Sequence, residues 1–281
     1  MTTPPSVCYT VVVCSPHIKL QMETHDYGTA LITGASSGIG AAFARKLAAM
    51  GYNVVLVARR REKLEAIAKE LEQEHPIAAE ALPTDLATDD GVALVEKRIG
   101  EIPDLMMLVN NAGFGTHGAF ADADLDKSLA MIQVHVIAST RLARAALPGM
   151  IARRKGIVIN VASPSAFVPL ADHAIYSATK SYLIAFSECL QLEVANAGIK
   201  VQALCPGLTY TEFHDTDEFK GMDRSRLPGF MWMSAEETVE RSLNALNNEQ
   251  VVFVPGFVNH LMYVRLRNLT TSLAPRVLGR K

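Results

Sequence analysis

Short, largely apolar runs recur along the chain, separated by stretches in which apolar and charged positions alternate at helical spacing. Runs at residues 30–32, 53–58, 77–82, 105–109, 156–162, 199–205 and 251–254 read as strands. Helical periodicity covers 41–47, 61–74, a segment capped by Thr88, one long helix over 124–152, then 174–196 and 235–247. Asp89 and Asp90 follow Thr88, where a helix amino end favours negative charge. Strands that are apolar on nearly every residue are buried on both faces. Alternated with helices, they predict a parallel, doubly wound α/β sheet with its ligand at the carboxyl ends of the strands.

The stretch between the first strand and its helix carries the first chemistry. Thr33-Gly34-Ala35-Ser36-Ser37-Gly38-Ile39-Gly40 is a Gly-rich turn that leaves backbone N–H groups at the positive end of a helix. Such a turn accommodates a pyrophosphate, because glycines let the backbone approach it closely. The spacing is Gly-x-x-x-Gly-x-Gly, which departs from the Gly-x-Gly-x-x-Gly fingerprint, and a plain tight turn is the alternative.

Composition narrows the field only slightly. The chain has 281 residues, 49% hydrophobic, enough for one large domain or two small ones. Its net charge of −2, with no basic cluster interleaved with aromatics, argues against a nucleic-acid partner. Cys8, Cys14, Cys189 and Cys205 form no Cys-x-x-Cys pair, so reduced thiols in a cytoplasmic protein are expected and no metal site. Residues 1–26 carry an apolar run, Val7 to Cys14, too short to span a bilayer and without the basic start of a signal peptide. They read as a flexible extension, or else as an added edge strand.

Four motifs stand in one order on this pattern: Thr33-Gly34-x-x-x-Gly38-x-Gly40, Asn110-Asn111-Ala112-Gly113, Ser163 with Tyr176-x-x-x-Lys180, and Pro206-Gly207. Together they resemble the short-chain dehydrogenase/reductase family over residues 29–255. The resemblance implies a Rossmann-like sheet of about seven parallel strands, a nicotinamide coenzyme, and a homodimer or homotetramer. One domain over 27–255 is expected, including a substrate lid at 212–234, with a tail at 256–281.

Tyr176 and Lys180 lie four apart on a predicted helix and so share a face. A phenol ionises near pH 10, and a neighbouring ammonium is expected to lower that value. Tyr176 then donates a proton in reduction and accepts one in oxidation. By resemblance, the Ser163 hydroxyl holds the substrate oxygen. Pro164 restricts Ser163 to extended backbone, as a strand end requires. The family usually carries an asparagine thirteen residues before the proline of a Leu-Pro-x-Met segment. In Leu147-Pro148-Gly149-Met150 that count lands on His135, a departure. His135 either keeps the family's proton relay, with a ring able to titrate near neutral pH, or is a satisfied core histidine.

Coenzyme choice is read after the second strand. Ala58 is followed by Arg59-Arg60-Arg61, with no carboxylate to repel a 2′-phosphate, so NADP(H) is expected with Arg59 as the main contact. The Gly-rich turn contributes Gly34, Ser36, Ser37, Gly38, Ile39 and Gly40. By resemblance Asp85, beside Leu86, contacts the adenine; it reads equally as a turn residue. Asn111, Ala112 and Gly113 pass under the ribose, or merely end the fourth strand. By resemblance Pro206 and Gly207 also border the coenzyme, and after them the Thr209 backbone and the Thr211 hydroxyl hold the carboxamide, with Thr209 replacing the usual valine.

The lid carries Phe213, Phe219, Leu227, Phe230, Met231, Trp232 and Met233, which suits a small hydrophobic ketone, aldehyde or secondary alcohol. Met262, Leu266, Leu269 and Leu273 form an amphipathic stripe in a basic tail, more in keeping with packing on the protein than with membrane contact. The leading expectation is an NADPH-dependent carbonyl reductase. The alternatives are a 3-oxoacyl or lipid-ketone reductase, and a nucleotide-sensing module without chemistry.

Overall fold

The computed structural model describes residues 27–116, 118–168, 171–215, 228–248, 250–256, 259 and 261. The strands are β1 (Thr29–Thr33), β2 (Asn53–Ala58), β3 (Ala79–Pro83), β4 (Leu105–Asn110), β5 (Gly156–Val161), β6 (Ile199–Leu204), β7 (Leu208–Tyr210), β8 (Trp232–Ser234) and β9 (Val252–Phe253). The helices are α1 (Gly38–Ala49), α2 (Arg61–Glu74), α3 (Asp89–Gly100), α4 (Leu125–Ile132), α5 (Ser139–Arg153), α6 (Ala174–Val194) and α7 (Ala235–Ala245). Seven strands form one parallel sheet in the order β3-β2-β1-β4-β5-β6-β9. This is the doubly wound, Rossmann-like architecture expected from the alternating pattern.

Strand periodicity distributes the core. Successive strand side chains point to opposite faces. Ala30 and Ile32, Val54 and Leu56, and Met107 and Val109 therefore pack in the layer that holds Phe43 and Leu47 of α1, Leu64 and Leu71 of α2, and Val239 of α7. Leu31, Val55, Val57, Leu108 and Val158 pack in the other layer, with Val92 and Val95 of α3, Leu142 and Ala146 of α5, and Leu190 of α6. Both faces of the sheet are covered, which explains the largely apolar runs. The strand order reverses between β1 and β4, and a crevice at that point is where open α/β sheets hold ligands.

Two features depart from the sequence reading. The long helix over 124–152 is interrupted: α4 and α5 are joined by a π segment, Gln133–Ala138, that contains His135. A small second sheet, β7 paired with β8, brackets the lid, with Tyr210 stacked on Trp232 at 4.9 Å. The extension at 1–26, the lid residues Phe219 and Leu227, and the tail stripe lie outside the described residues.

Candidate active site

The Gly-rich turn is pinned to the end of β4 by polar groups from both. Thr33 Oγ1 donates to the Val109 carbonyl at 3.2 Å and accepts from the N–H groups of Asn111 and Ala112 at 2.9 and 3.0 Å. Asn111 Nδ2 donates back to the Thr33 carbonyl at 2.9 Å and the Gly34 carbonyl at 3.3 Å. The side chain of Asn111 thus holds the loop. Gly34 has φ +67°, and a Cβ there would meet Ala112 Cα at 2.9 Å. A Cβ on Gly40 would run into the Gly34 carbonyl and Asn111 Nδ2. Ser37 is the N-cap of α1, yet its side chain leaves the first-turn N–H groups uncapped. An uncapped helix amino end beside backbone free of Cβ atoms fits the pyrophosphate of a dinucleotide.

The arginine that reaches this loop is Arg60. Its Nη2 donates to Ser36 Oγ at 2.8 Å and Ser37 Oγ at 2.7 Å, and its Nε to Ser36 Oγ at 3.1 Å. Arg59, expected as the main contact, is exposed at the end of β2, one residue before the N-cap of α2. The turn from β2 into α2 lays Arg60, itself exposed, across the loop, and sequence order alone does not reveal which of three successive arginines does so. The Asp85 carboxylate accepts from the Ala87 N–H at 3.0 Å through Oδ1, with Leu86 buried beside it.

The catalytic candidates meet beyond the ends of β5 and β6. Ser163 is extended (φ −163°, ψ 152°), as Pro164 required. Its Oγ accepts from the N–H and the hydroxyl of Ser165 at 3.2 and 3.0 Å, which leaves its own proton to face the Tyr176 hydroxyl. Ser165 was not anticipated from sequence. Tyr176 and Lys180 stand on one face of α6, with Lys180 Nζ 5.7 Å from the Tyr176 ring centre. Lys180 is buried and donates to the Val161 carbonyl at 2.8 Å. Burial lowers its pKa to about 8.

The Tyr176 phenol moves in the direction opposite to that expected. Burial pushes it up to about 12, and its hydrogen bond with Ser163 pulls only part of the way back. The desolvation of the phenolate outweighs that hydrogen bond, and the neighbouring Cys205 adds to the rise. Cys205, at the end of β6, is a buried thiol whose pKa burial also raises.

His135 is fully buried against Tyr176, their ring centres 6.0 Å apart. Nε2 accepts from the Phe114 N–H at 3.1 Å. Nδ1 lies 3.0 Å from Thr179 Oγ1, which itself donates to the Tyr176 carbonyl at 2.8 Å. The proton therefore belongs on Nδ1, and the imidazole is neutral with both nitrogens partnered. Burial and the Lys180 charge hold its pKa well below the usual histidine range, so it does not titrate near neutral pH. A Cβ on Gly113 would stand 2.6 Å from Nε2, so glycine there gives the ring its room.

Thr209 is buried with its hydroxyl on the Gly207 carbonyl at 3.0 Å, and Thr211 Oγ1 is 3.4 Å from the Thr209 carbonyl. Thr209 lies on β7, just after Pro206-Gly207, and Thr211 one residue beyond its end. Phe213, at the start of the lid, lies 6.1 Å from Tyr176, ring to ring. Among the described residues no cluster of three or more His, Cys, Asp or Glu is placed to hold a metal ion.

The short chain dehydrogenase family model matches residues 28–220. The chain belongs to the short-chain dehydrogenase/reductase family of oxidoreductases. A short-chain dehydrogenase from Sphingobium yanoikuyae in complex with NADPH is 35% identical, with a TM-score of 0.78 over 88% of this chain and 95% of that one. The bulky-bulky ketone specific alcohol dehydrogenase from Comamonas testosteroni is 30% identical, with a TM-score of 0.74 over 90% of this chain and 95% of that one. Among curated relatives, the human inactive hydroxysteroid dehydrogenase-like protein 1 is 34% identical over 63% of this chain. The mouse very-long-chain 3-oxoacyl-CoA reductase is 32% identical over 65% of it. The matched stretches span 54% and 60% of those two relatives.

Proposed function

We propose that this short-chain dehydrogenase/reductase uses NADP(H) to interconvert a hydrophobic ketone or aldehyde with its alcohol. The observation that carries the reading is the Ser163–Tyr176–Lys180 constellation beside the crevice of the Gly-rich loop. A reduced nicotinamide coenzyme, when bound, supplies the hydride. Ser163, its oxygen occupied by Ser165, directs its own proton at the substrate carbonyl oxygen. Tyr176 is held as the neutral phenol and delivers a proton from Oη to that oxygen. The buried Lys180 ammonium offsets the charge left on the phenolate. Arg60, on the two serine hydroxyls, supplies a guanidinium suited to a 2′-phosphate. The NADPH complex of a relative 35% identical supports the same coenzyme.

The 3-oxoacyl or lipid-ketone alternative is supported by the resemblance to very-long-chain 3-oxoacyl-CoA reductases. One relative's name calls it inactive, whereas this chain keeps its serine, tyrosine and lysine together, which favours chemistry over coenzyme sensing. Exposed Leu125 and Leu129 on α4, and Leu192 on α6, favour a homodimer or homotetramer. No helix among the described residues is long and apolar enough to cross a membrane.

The test is NADPH oxidation by the purified protein over a panel of apolar aldehydes, ketones and 3-oxoacyl thioesters. Turnover is expected, and Tyr176→Phe lowers it about 10²–10⁴-fold with NADPH binding retained. Binding without turnover of any carbonyl overturns the enzymatic reading in favour of coenzyme sensing.

A further inference from the structure

The arginine at the coenzyme loop already holds an anion from the far end of the chain. Arg60 Nη1 donates to Glu212 Oε2 at 2.7 Å, and Lys63 Nζ donates to Glu212 Oε1 at 2.8 Å. One carboxylate therefore bridges a guanidinium and an ammonium, across 152 positions of sequence in the first case and 149 in the second. The remaining Arg60 nitrogens are spent on Ser36 and Ser37, at the amino end of α1. The arrangement is that of an anion cradle: two cations on one side, two hydroxyls and an uncapped helix end on the other. Glu212 occupies the outer face of this cradle, and its side chain is half exposed.

From this geometry we infer that Glu212 is a coenzyme-specificity residue, a carboxylate of the lid that competes with the 2′-phosphate of NADP(H) for Arg60 and Lys63. The inference rests on the NADP(H) reading above and adds a partner to it. A phosphomonoester carries more charge and more acceptor oxygens than a carboxylate, so it displaces Glu212. A coenzyme with a free 2′-hydroxyl has no charge with which to displace it and leaves the bridge in place. Glu212 thus weakens NADPH relative to its intrinsic affinity and leaves NADH unaffected. The paired cations hold the Glu212 carboxyl at about 2, so it remains a full competitor across the pH range in which the protein would work. Glu212 is flanked by Thr211, packed against Gly38 of the loop, and by Phe213, beside Tyr176. Displacement of the carboxylate therefore acts on the first residues of the lid.

The test measures binding of NADPH, NADH, adenosine 2′,5′-bisphosphate and AMP to the full chain and to Glu212→Gln, with a thermal melt of each protein as a control for folding. The carboxamide keeps the shape and removes the charge. Glu212→Gln is expected to tighten NADPH and the bisphosphate about threefold to tenfold, as the loss of two exposed ion pairs permits. NADH and AMP are expected to stay within about twofold. Wild-type preference for NADPH with no tightening in Glu212→Gln overturns the competition and leaves the coenzyme reading standing. Weaker NADPH binding in Glu212→Gln also overturns it, because Glu212 would then be orienting Arg60 for the phosphate. Equal affinity of the wild type for NADPH and NADH defeats the coenzyme reading itself, and this inference with it.

Discussion

At the scale of single residues, His135 shows how burial decides what a side chain does. Its ring spans two fixed partners, the Phe114 N–H and the Thr179 hydroxyl, and Thr179 in turn touches the backbone of Tyr176. Asparagine is too short to reach both partners from the same Cβ. His135→Asn is therefore expected to leave one polar group without a partner and to cost about 1–3 kcal/mol in urea unfolding, with no gain in turnover. A many-fold rise in turnover would show instead that the histidine impairs a relay that asparagine restores. Of these residues, Tyr176, Lys180 and Ser163 were legible in the sequence, because their geometry is local: a four-residue helix spacing and a proline after a strand. Arg60 was not, since its direction depends on the exit angle of one turn. Glu212 had no signal at all, because its partners are distant in sequence and charge alone does not choose among the carboxylates.

At the scale of elements, the coenzyme loop and the end of β4 act as one unit, because Thr33 ties them. Its hydroxyl serves one carbonyl and two N–H groups, and Asn111 returns two bonds to the loop. Thr33→Val keeps the shape and the strand preference while removing all three bonds of the hydroxyl. It is expected to destabilise the fold by about 1–3 kcal/mol and to weaken both coenzymes equally, since the loop loses its anchor while Arg60 keeps its contacts. Calorimetric titration of NADPH and NADH into the variant checks this. Loss of affinity for NADPH alone would mean that Thr33 acts through Arg60. The same scale explains where periodicity misled. No proline or glycine stands between Gln133 and Ala138, so the apolar pattern runs straight through the π segment. Among the described contacts of that segment, those of His135 with Phe114 and Thr179 and of Gln133 with Asp89 are tertiary. They stand where an uninterrupted helix was expected. The pairing of β7 with β8 was equally hidden, because each strand is three residues long and β8 comes only at the far end of the lid.

At the scale of the whole molecule, α6 sets a buried ammonium and a half-buried phenol one turn apart beyond the sheet, and both make stability depend on pH. The sign follows from which state binds more protons. Lys180 titrates at about 8 when folded and near 10.5 when exposed, so between those values the unfolded chain holds the extra proton. Stability from this group therefore rises with pH through that window, as the cost of the buried charge is relieved. Tyr176 acts with the opposite sign at higher pH: the folded chain keeps a proton up to about 12 that the unfolded chain loses near 10, so stability falls there. Cys205, raised by burial, also opposes Lys180 above the usual thiol range. The lysine's share is isolated by comparing the wild type with Lys180→Met from about pH 7 to about pH 9, where the tyrosine contributes least. The wild type is expected to gain roughly 1 kcal/mol on the variant over that span, read from urea midpoints at each pH. A constant difference between the two proteins would mean that Lys180 carries its proton as readily folded as unfolded. The ammonium would then be too well solvated to be the buried counter-charge on which the chemistry proposed for Tyr176 depends.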